Sequence, residues 1–187
     1  MARLRKFVAY RRLERPYTRI SKYKQKSYIR TKPNIKVIRF DMGEKSREFP
    51  IKVSLISKQG LQIRQEAIES ARLTTIRLLE KRIGKTGFHF KIKIFPFHVL
   101  RENALASGAG ADRLSTGMKM SFGKPVGIAA QVREGQEIMF VATTKNNLEL
   151  ARKSLKRATQ KMPGTFSIVT QMPVVAKPVA EKPIVAK

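Results

Sequence analysis

The sequence predicts an α+β fold in which a mixed sheet and two main helices share one core, with a basic N-terminal arm in front and a long internal loop within. Three observations lead there. Apolar residues alternate in several short runs, the mark of half-buried strands. In two longer runs they recur every third or fourth position, the mark of amphipathic helices. Finally, 12 of the 40 Lys and Arg fall within residues 1–34, where neither period is sustained. The chain divides accordingly into an arm over 1–34, a single domain over 35–170 with a loop at 101–125, and a tail over 171–187 rich in Ala, Lys, Pro and Val. A length of 187 residues suits one domain with extensions, since domains most often hold about 100–150 residues.

Ile35–Phe40 alternates loosely and Phe49–Ile56 more clearly, so both read as strands joined by a polar turn over 41–48. From about Gln62 to Ile83 the period becomes helical. Ala67, Ile68, Ala71, Thr75, Leu78 and Leu79 share a face there; Glu66 and Glu69 stand early, and Arg77, Lys81 and Arg82 stand late before Gly84, as the helix dipole favours. Phe88–Phe95 alternates strictly, with Phe88, Phe90, Ile92 and Ile94 on one face and His89, Lys91 and Lys93 on the other. A strand ending near Leu100 leads into the loop, after which Val126–Val132 and Glu137–Thr143 read as strands about the turn Arg133–Gln136. The second helix runs from Asn146 or Asn147, either suited to the N-cap, to about Met162. Leu148, Ala151, Leu155, Ala158 and Met162 form its apolar stripe, and Pro163-Gly164 ends it. Phe166–Thr170 is the last expected strand. Strands mixed with only two helices point to helices gathered on one face of the sheet.

The 40 Lys and Arg against 13 Asp and Glu leave a formal net charge of +27. A compact chain so charged repels itself, whereas a polyanion neutralises it and releases condensed counterions. Nucleic acid is the partner this implies. The hydrophobic fraction of 42% is enough for a core and argues against disorder of the whole chain. Cysteine is absent, which excludes disulfides, thiolate metal sites and Cys nucleophiles. No apolar run approaches the roughly 20 residues that span a bilayer, and MARLRKFVAYRR is followed by no apolar signal-peptide stretch. A cytoplasmic protein with no membrane association is expected. The start is Arg-rich and acid-poor, as a transit peptide is, but its aromatic spacing reads as a mature binding arm.

In that arm Arg3, Arg5, Lys6, Arg11, Arg12, Arg15, Arg19, Lys22, Lys24, Lys26, Arg30 and Lys32 interleave with Tyr10, Tyr17, Tyr23 and Tyr28, and Glu14 is its single acid. Cations meet phosphates while tyrosine rings stack on splayed bases, a combination that holds irregular or single-stranded RNA. These residues are candidate RNA contacts, expected to order on RNA rather than to join the core. In the tail, Pro173, Pro178 and Pro183 block ladders and helices, so a solvated extension carrying Lys177, Lys182 and Lys187 is expected.

The loop 101–125 combines Gly108, Gly110, Gly117 and Gly123 with Arg113, Lys119 and Lys124, and has few large apolar groups. No element of its own is expected in it, and loops this long inside a compact domain are usually functional or disordered. Glycines let the backbone approach a ligand closely, and the sparse cations suit phosphates. Ser107–Asp112 is glycine-rich, but neither G-x-x-x-x-G-K-[ST] nor a G-x-G-x-x-G opening a βαβ unit is present, so it is not read as a catalytic phosphate cradle. His89 and His98 stand nine residues apart with no carboxylate cluster beside them, and Asp112 has no partner acid nearby in sequence. Neither a metal site, a cofactor nor an acid–base pair is therefore expected. A nuclease or modification enzyme lacks its machinery here, and a duplex-DNA binder lacks a recognisable groove-reading helix.

Ala67-x-x-x-Ala71-Arg72 on the first helix, Phe95-Pro-Phe-His-Val-Leu-Arg101, Gly110-Ala-Asp-Arg-Leu114, Gly117-Met118 and Gly123-Lys-Pro125 follow one another along the chain. Together they resemble the universal L-sixteen family of large-subunit ribosomal proteins, and within it the L-ten-e branch of archaea and eukaryotes. The likeness covers roughly residues 1–170 and leaves the tail outside; a loop without cysteine is more similar to archaeal members. The resemblance implies an alpha/beta-hammerhead-like fold seated in large-subunit rRNA, close to 5S rRNA and beneath the elbow of the aminoacyl-site tRNA. It implies a loop pointing toward the tRNA and the peptidyl transferase centre, with Arg113, Lys119 and Lys124 touching rRNA or tRNA, with Gly108, Gly110, Gly117 and Gly123 letting it thread a crowded RNA space, and with Asp112 and Met118 in the same stretch. Neighbouring ribosomal proteins and late assembly factors are the further partners it implies, with the chemistry left to RNA.

Overall fold

A computed structural model describes residues 4–18, 22, 23, 25, 28, 29, 31–106, 108–115 and 117–171, with the backbone alone described at Asp112 and Leu114. After a 3-10 turn at Phe7–Tyr10, the described residues form β1 (Asp41–Gly43), β2 (Ile51–Ser57), β3 (Leu61–Arg64), α1 (Gln65–Ile83), β4 (Phe88–Ile92) and β5 (His98–Glu102). The one-turn α2 (Ala111–Leu114) and a 3-10 turn at Gly117–Met120 come next, then β6 (Lys124–Val132), β7 (Glu137–Thr143), α3 (Leu148–Thr159) and β8 (Phe166–Gln171). The α+β expectation holds, but the strands form two antiparallel sheets, β1-β4-β7-β2-β8 and β3-β6-β5. Where the chain crosses between them, the Ser57 N–H donates to the Gln136 carbonyl at 3.0 Å and the Gly135 N–H to the Ser57 carbonyl at 2.9 Å.

The helical period explains how the core closes. Ile68, Ala71, Thr75, Ile76 and Leu79 of α1 and Ala151, Leu155 and Ala158 of α3 are buried. The two helices pack on each other, and α3 also lies against β2, β7 and β8. Opposite them, Val53, Leu55, Phe88, Phe90, Ile92, Met139 and Val141 supply the sheet's half of the core. Phe90 has no exposed surface, so truncation to Ala would cost about 3–5 kcal/mol. Gly84, at φ +84°, closes α1 by donating its N–H to the Glu80 carbonyl at 3.2 Å.

Several sequence expectations change. Ile35–Phe40 is not a strand, because its backbone is engaged elsewhere: the Lys36 N–H donates to Gln65 Oε1 at 2.9 Å, Gln65 Nε2 donates to the Asn34 carbonyl at 3.2 Å, and Val37 is buried. The ladder starts instead at Asp41, inside the expected turn. Residues 62–64, expected as the first helical turn, pair with β6 as part of β3. The strand from Phe88 ends at Ile92 rather than Phe95. Asn147 occupies the cap of α3, but its side chain donates to Thr144 Oγ1 at 3.4 Å instead of capping. The loop 101–125 contains the end of β5, α2, a 3-10 turn and the start of β6, so it is not without elements.

Candidate nucleic-acid interface

The described part of the arm lies along the three-stranded sheet, held by that sheet's own polar side chains. Gln62, buried in β3, donates through Nε2 to the carbonyls of Tyr10 at 3.1 Å and Arg12 at 2.5 Å, and its backbone N–H reaches the Arg11 carbonyl at 3.4 Å. On β5 the Val99 N–H donates to the Tyr17 carbonyl at 3.0 Å, and on β6 Gln131 Nε2 donates to the Glu14 carbonyl at 2.8 Å. The Tyr17 N–H donates to His98 Nδ1 at 3.0 Å, so Nδ1 is the unprotonated nitrogen of that ring. Burial, and then the neighbouring Arg101 charge, push the His98 imidazole down to about 4, which keeps it neutral and able to accept.

Tyr10 departs from the expectation that the arm's tyrosines stay out of the core. It is 8% exposed, and its hydroxyl donates to Glu102. Burial and that carboxylate raise its phenol above the ordinary value, so it stays protonated. Arg5 Nε pairs with the same Glu102 at 2.9 Å, and the Arg64 guanidinium lies 4.8 Å from the Tyr10 ring centre. The ring is filling space against the sheet and is not free to stack on a base.

The arm and the loop meet at Arg101. Its guanidinium lies 4.0 Å from the Tyr17 ring centre and 3.9 Å from that of Phe122, and it donates to the Phe122 carbonyl at 2.6 Å. Tyr17 also meets Phe122, Tyr28 and His98 with ring centres 5.9, 5.6 and 5.9 Å apart, and Arg15 covers Tyr28 at 5.1 Å. Asn103 Nδ2 donates to the Gly117 carbonyl at 3.2 Å. Gly123, at φ +81°, passes so close to β5 that a Cβ there would stand 2.9 Å from the Glu102 carbonyl carbon. Only glycine fits both that torsion and that approach. The loop is thus fastened at its base.

Beyond that base the loop faces outward. Gly108, Gly110, Arg113, Met118, Lys119 and Lys124 are exposed, Met118 by 73% and Met120 by 56%. Arg5, Lys6, Arg11, Arg12, Arg15 and Lys22 are exposed along the arm, with Tyr23, and Arg152, Lys153, Lys156, Arg157 and Lys161 on and just after α3. Arg3, Arg19, Lys24, Lys26 and Arg30, together with the tail lysines, lie outside the described residues, as does the side chain of Asp112. Sequence reasoning missed Gln62, His98, Arg101 and Phe122 as organisers. The polar Gln62 between Leu61 and Ile63 was a usable signal for the first; the Arg101–Phe122 contact, 21 residues apart, left none. Among the described residues no group of His, Asp and Glu is placed to hold a metal, and no helix is long and apolar enough to cross a membrane.

Residues 15–169 match the family described as Ribosomal protein L16p/L10e. The large ribosomal subunit protein uL16 of Archaeoglobus fulgidus is 45% identical over 162 residues, covering 87% of this chain and 90% of the relative. Its counterpart in Methanococcus aeolicus is 44% identical over 166 residues, covering 89% and 93%. That of Methanoculleus marisnigri is 43% identical over 149 residues, covering 80% and 88%. The match spans the docked part of the arm from Arg15, the Arg101 stack and the whole loop; the chain therefore belongs to the L16p/L10e family of ribosomal proteins, in its archaeal form, and is a structural constituent of the large ribosomal subunit rather than an enzyme.

Proposed function

We propose that the chain binds large-subunit rRNA through its arm and loop, helps to organise the aminoacyl-tRNA site near the peptidyl transferase centre, and supports late assembly of the subunit. The observation that carries this reading is the Arg101 stack, which fastens Tyr17 of the arm and Phe122 of the loop to β5. Both segments share one platform, while Arg11, Arg12, Arg15, Arg113, Lys119 and Lys124 point to solvent. Exposed cations on a fixed scaffold suit phosphates, and a loop rooted at its base holds its tip where substrates must be positioned. Arg3, Arg19, Lys24, Lys26 and Arg30 join the proposed rRNA contacts on sequence alone. The rRNA near 5S rRNA, the aminoacyl-site tRNA, adjoining ribosomal proteins and assembly factors are the partners of this reading. Its division of the chain is an arm over 1–34, a domain that runs from 35 to the end of β8 at Gln171, one residue beyond the expected boundary, and a tail after it.

Replacing Arg113, Lys119 and Lys124 together with Ala tests the reading. The variant is expected to join large subunits at full occupancy and to slow single-turnover peptide transfer by roughly tenfold or more. Normal transfer at full occupancy would refute a positioning role for the loop. Failure to join the subunit would refute the division between anchoring arm and positioning loop.

A further inference from the structure

The two helices cover one face of the five-stranded sheet. The other face carries a row of residues in register across all five strands: Asp41, Lys91, Phe140, Ser54 and Val169. The next row holds His89, Ala142 and Lys52. A solvated sheet face would be polar along such a row, yet an aromatic ring stands at its centre. Lys52 Nζ lies 4.6 Å and Lys93 Nζ 5.6 Å from the centre of the Phe140 ring, and His89 meets it edge-on at 5.6 Å.

Two carboxylates order these cations without cancelling them. Asp41 holds His89 at 3.1 Å, Lys91 at 3.5 Å and Lys45 at 4.0 Å; Glu137 accepts from Lys52 at 2.9 Å, from Ser54 Oγ at 2.6 Å and from Lys93. Burial pushes both carboxyls up, but these partners outweigh it and hold them ionised, below their ordinary values. Four ammonium groups therefore face two carboxylates, and the lysine side chains keep 30–62% of their surface. An aromatic at the centre of a sheet face that neither described main helix covers, ringed by ordered cations, matches the physical requirements of an unpaired nucleotide strand: a π-face for a base and ammonium groups for phosphates.

We infer that this face, opposite the helices, is a second RNA-contact surface, separate from the arm and loop, on which Phe140 stacks with an unpaired base while Lys52, Lys91 and Lys93 take the flanking phosphates. The inference rests on the reading of the chain as an rRNA binder and adds a site to it. Binding draws Lys52 and Lys93 from the ring and from Glu137 toward phosphate and uncovers the π-face.

Two measurements on the full chain test this. The first is binding to a single-stranded oligouridylate as a function of salt. Replacing Lys52, Lys91 and Lys93 with Gln is expected to lower the salt slope by about 2, since each phosphate contact to a single strand contributes about 0.7. Phe140→Leu keeps an apolar side chain but loses the ring, and is expected to weaken binding about tenfold with the slope unchanged. Wild-type affinity and slope in both variants, each folded by circular dichroism, would overturn the inference. The second is lysine acetylation and ultraviolet cross-linking in assembled large subunits. Protection of Lys52, Lys91 and Lys93 with a nucleotide adduct on the peptide holding Phe140 is expected. Lysine links from this face to a protein neighbour, without that adduct, would overturn it. Adducts on the arm and loop peptides read the underlying proposal separately: their presence without one near Phe140 sinks only the new site, and an adduct near Phe140 alone sinks only the arm-and-loop reading.

Discussion

Arg101 shows how one side chain joins segments far apart in sequence. A guanidinium is planar and meets two rings and a carbonyl at once, which an ammonium cannot do. Arg101→Lys is therefore expected to keep the charge but release the loop: amide hydrogen exchange should accelerate across residues 103–122, with a stability loss of about 1–2 kcal/mol. Unchanged exchange there would show that the stack holds nothing. Beside it, His98 has its imidazole at about 4, against an ordinary 6.5, through burial and then Arg101. The unfolded chain thus takes up this proton first. The contribution of neutral His98 is whole above about pH 6.5 and is lost as pH falls from there through 4, by at most about 3 kcal/mol. Urea midpoints measured above about pH 7 and again near 4.5 should fall further for the wild type than for His98→Gln, which accepts the Tyr17 N–H without titrating.

The arm, as an element, completes the three-stranded sheet. Removing residues 2–17 strips Gln62 and His98 of their backbone partners and uncovers the pocket of Tyr10. We expect the truncated protein to lose about 2–5 kcal/mol of stability as well as rRNA affinity, read by thermal melting and by a shallower salt dependence of binding. Melting unchanged from the full chain would mean that the docking is superficial. This is also where the sequence was least legible. Periodicity identified α1, α3, β4 and β7, because each places apolar groups on a buried face, and it marked β8 by Phe166 and Ile168, which pack partly buried against the core. It did not separate two sheets, since residues 62–64 merge with the helical period that follows them and a strand ending near Leu100 looks the same whichever strand lies alongside. Nor did it foresee Tyr10 as buried, because the residues that cover Tyr10 lie 92 positions away at Glu102 and 54 away at Arg64. The outward placement of Arg113, Lys119 and Lys124 was readable from their glycine-rich setting; the anchoring of their loop by Arg101 was not.

For the molecule as a whole, a charge of +27 means that folding gathers like charges that the free chain keeps apart. Without RNA, its melting temperature should rise between roughly 0.05 and 0.3 M salt as the screening length shortens, and a fall over that range would show that ion pairs outweigh repulsion. The strand order β1-β4-β7-β2-β8 has a consequence of another kind, in time. No two neighbours in that sheet are consecutive in the chain, so every pairing must close a long loop before it is rewarded, and folding is slow. During synthesis β2 emerges early, yet one of its edges is covered only by β8, Phe166–Gln171, near the end of the chain. Until then that edge stays open to any passing strand. A chain stopped after Gly164 should therefore self-associate, as seen by light scattering, while the full chain does not; β8 closes that edge and ends its exposure to misassembly.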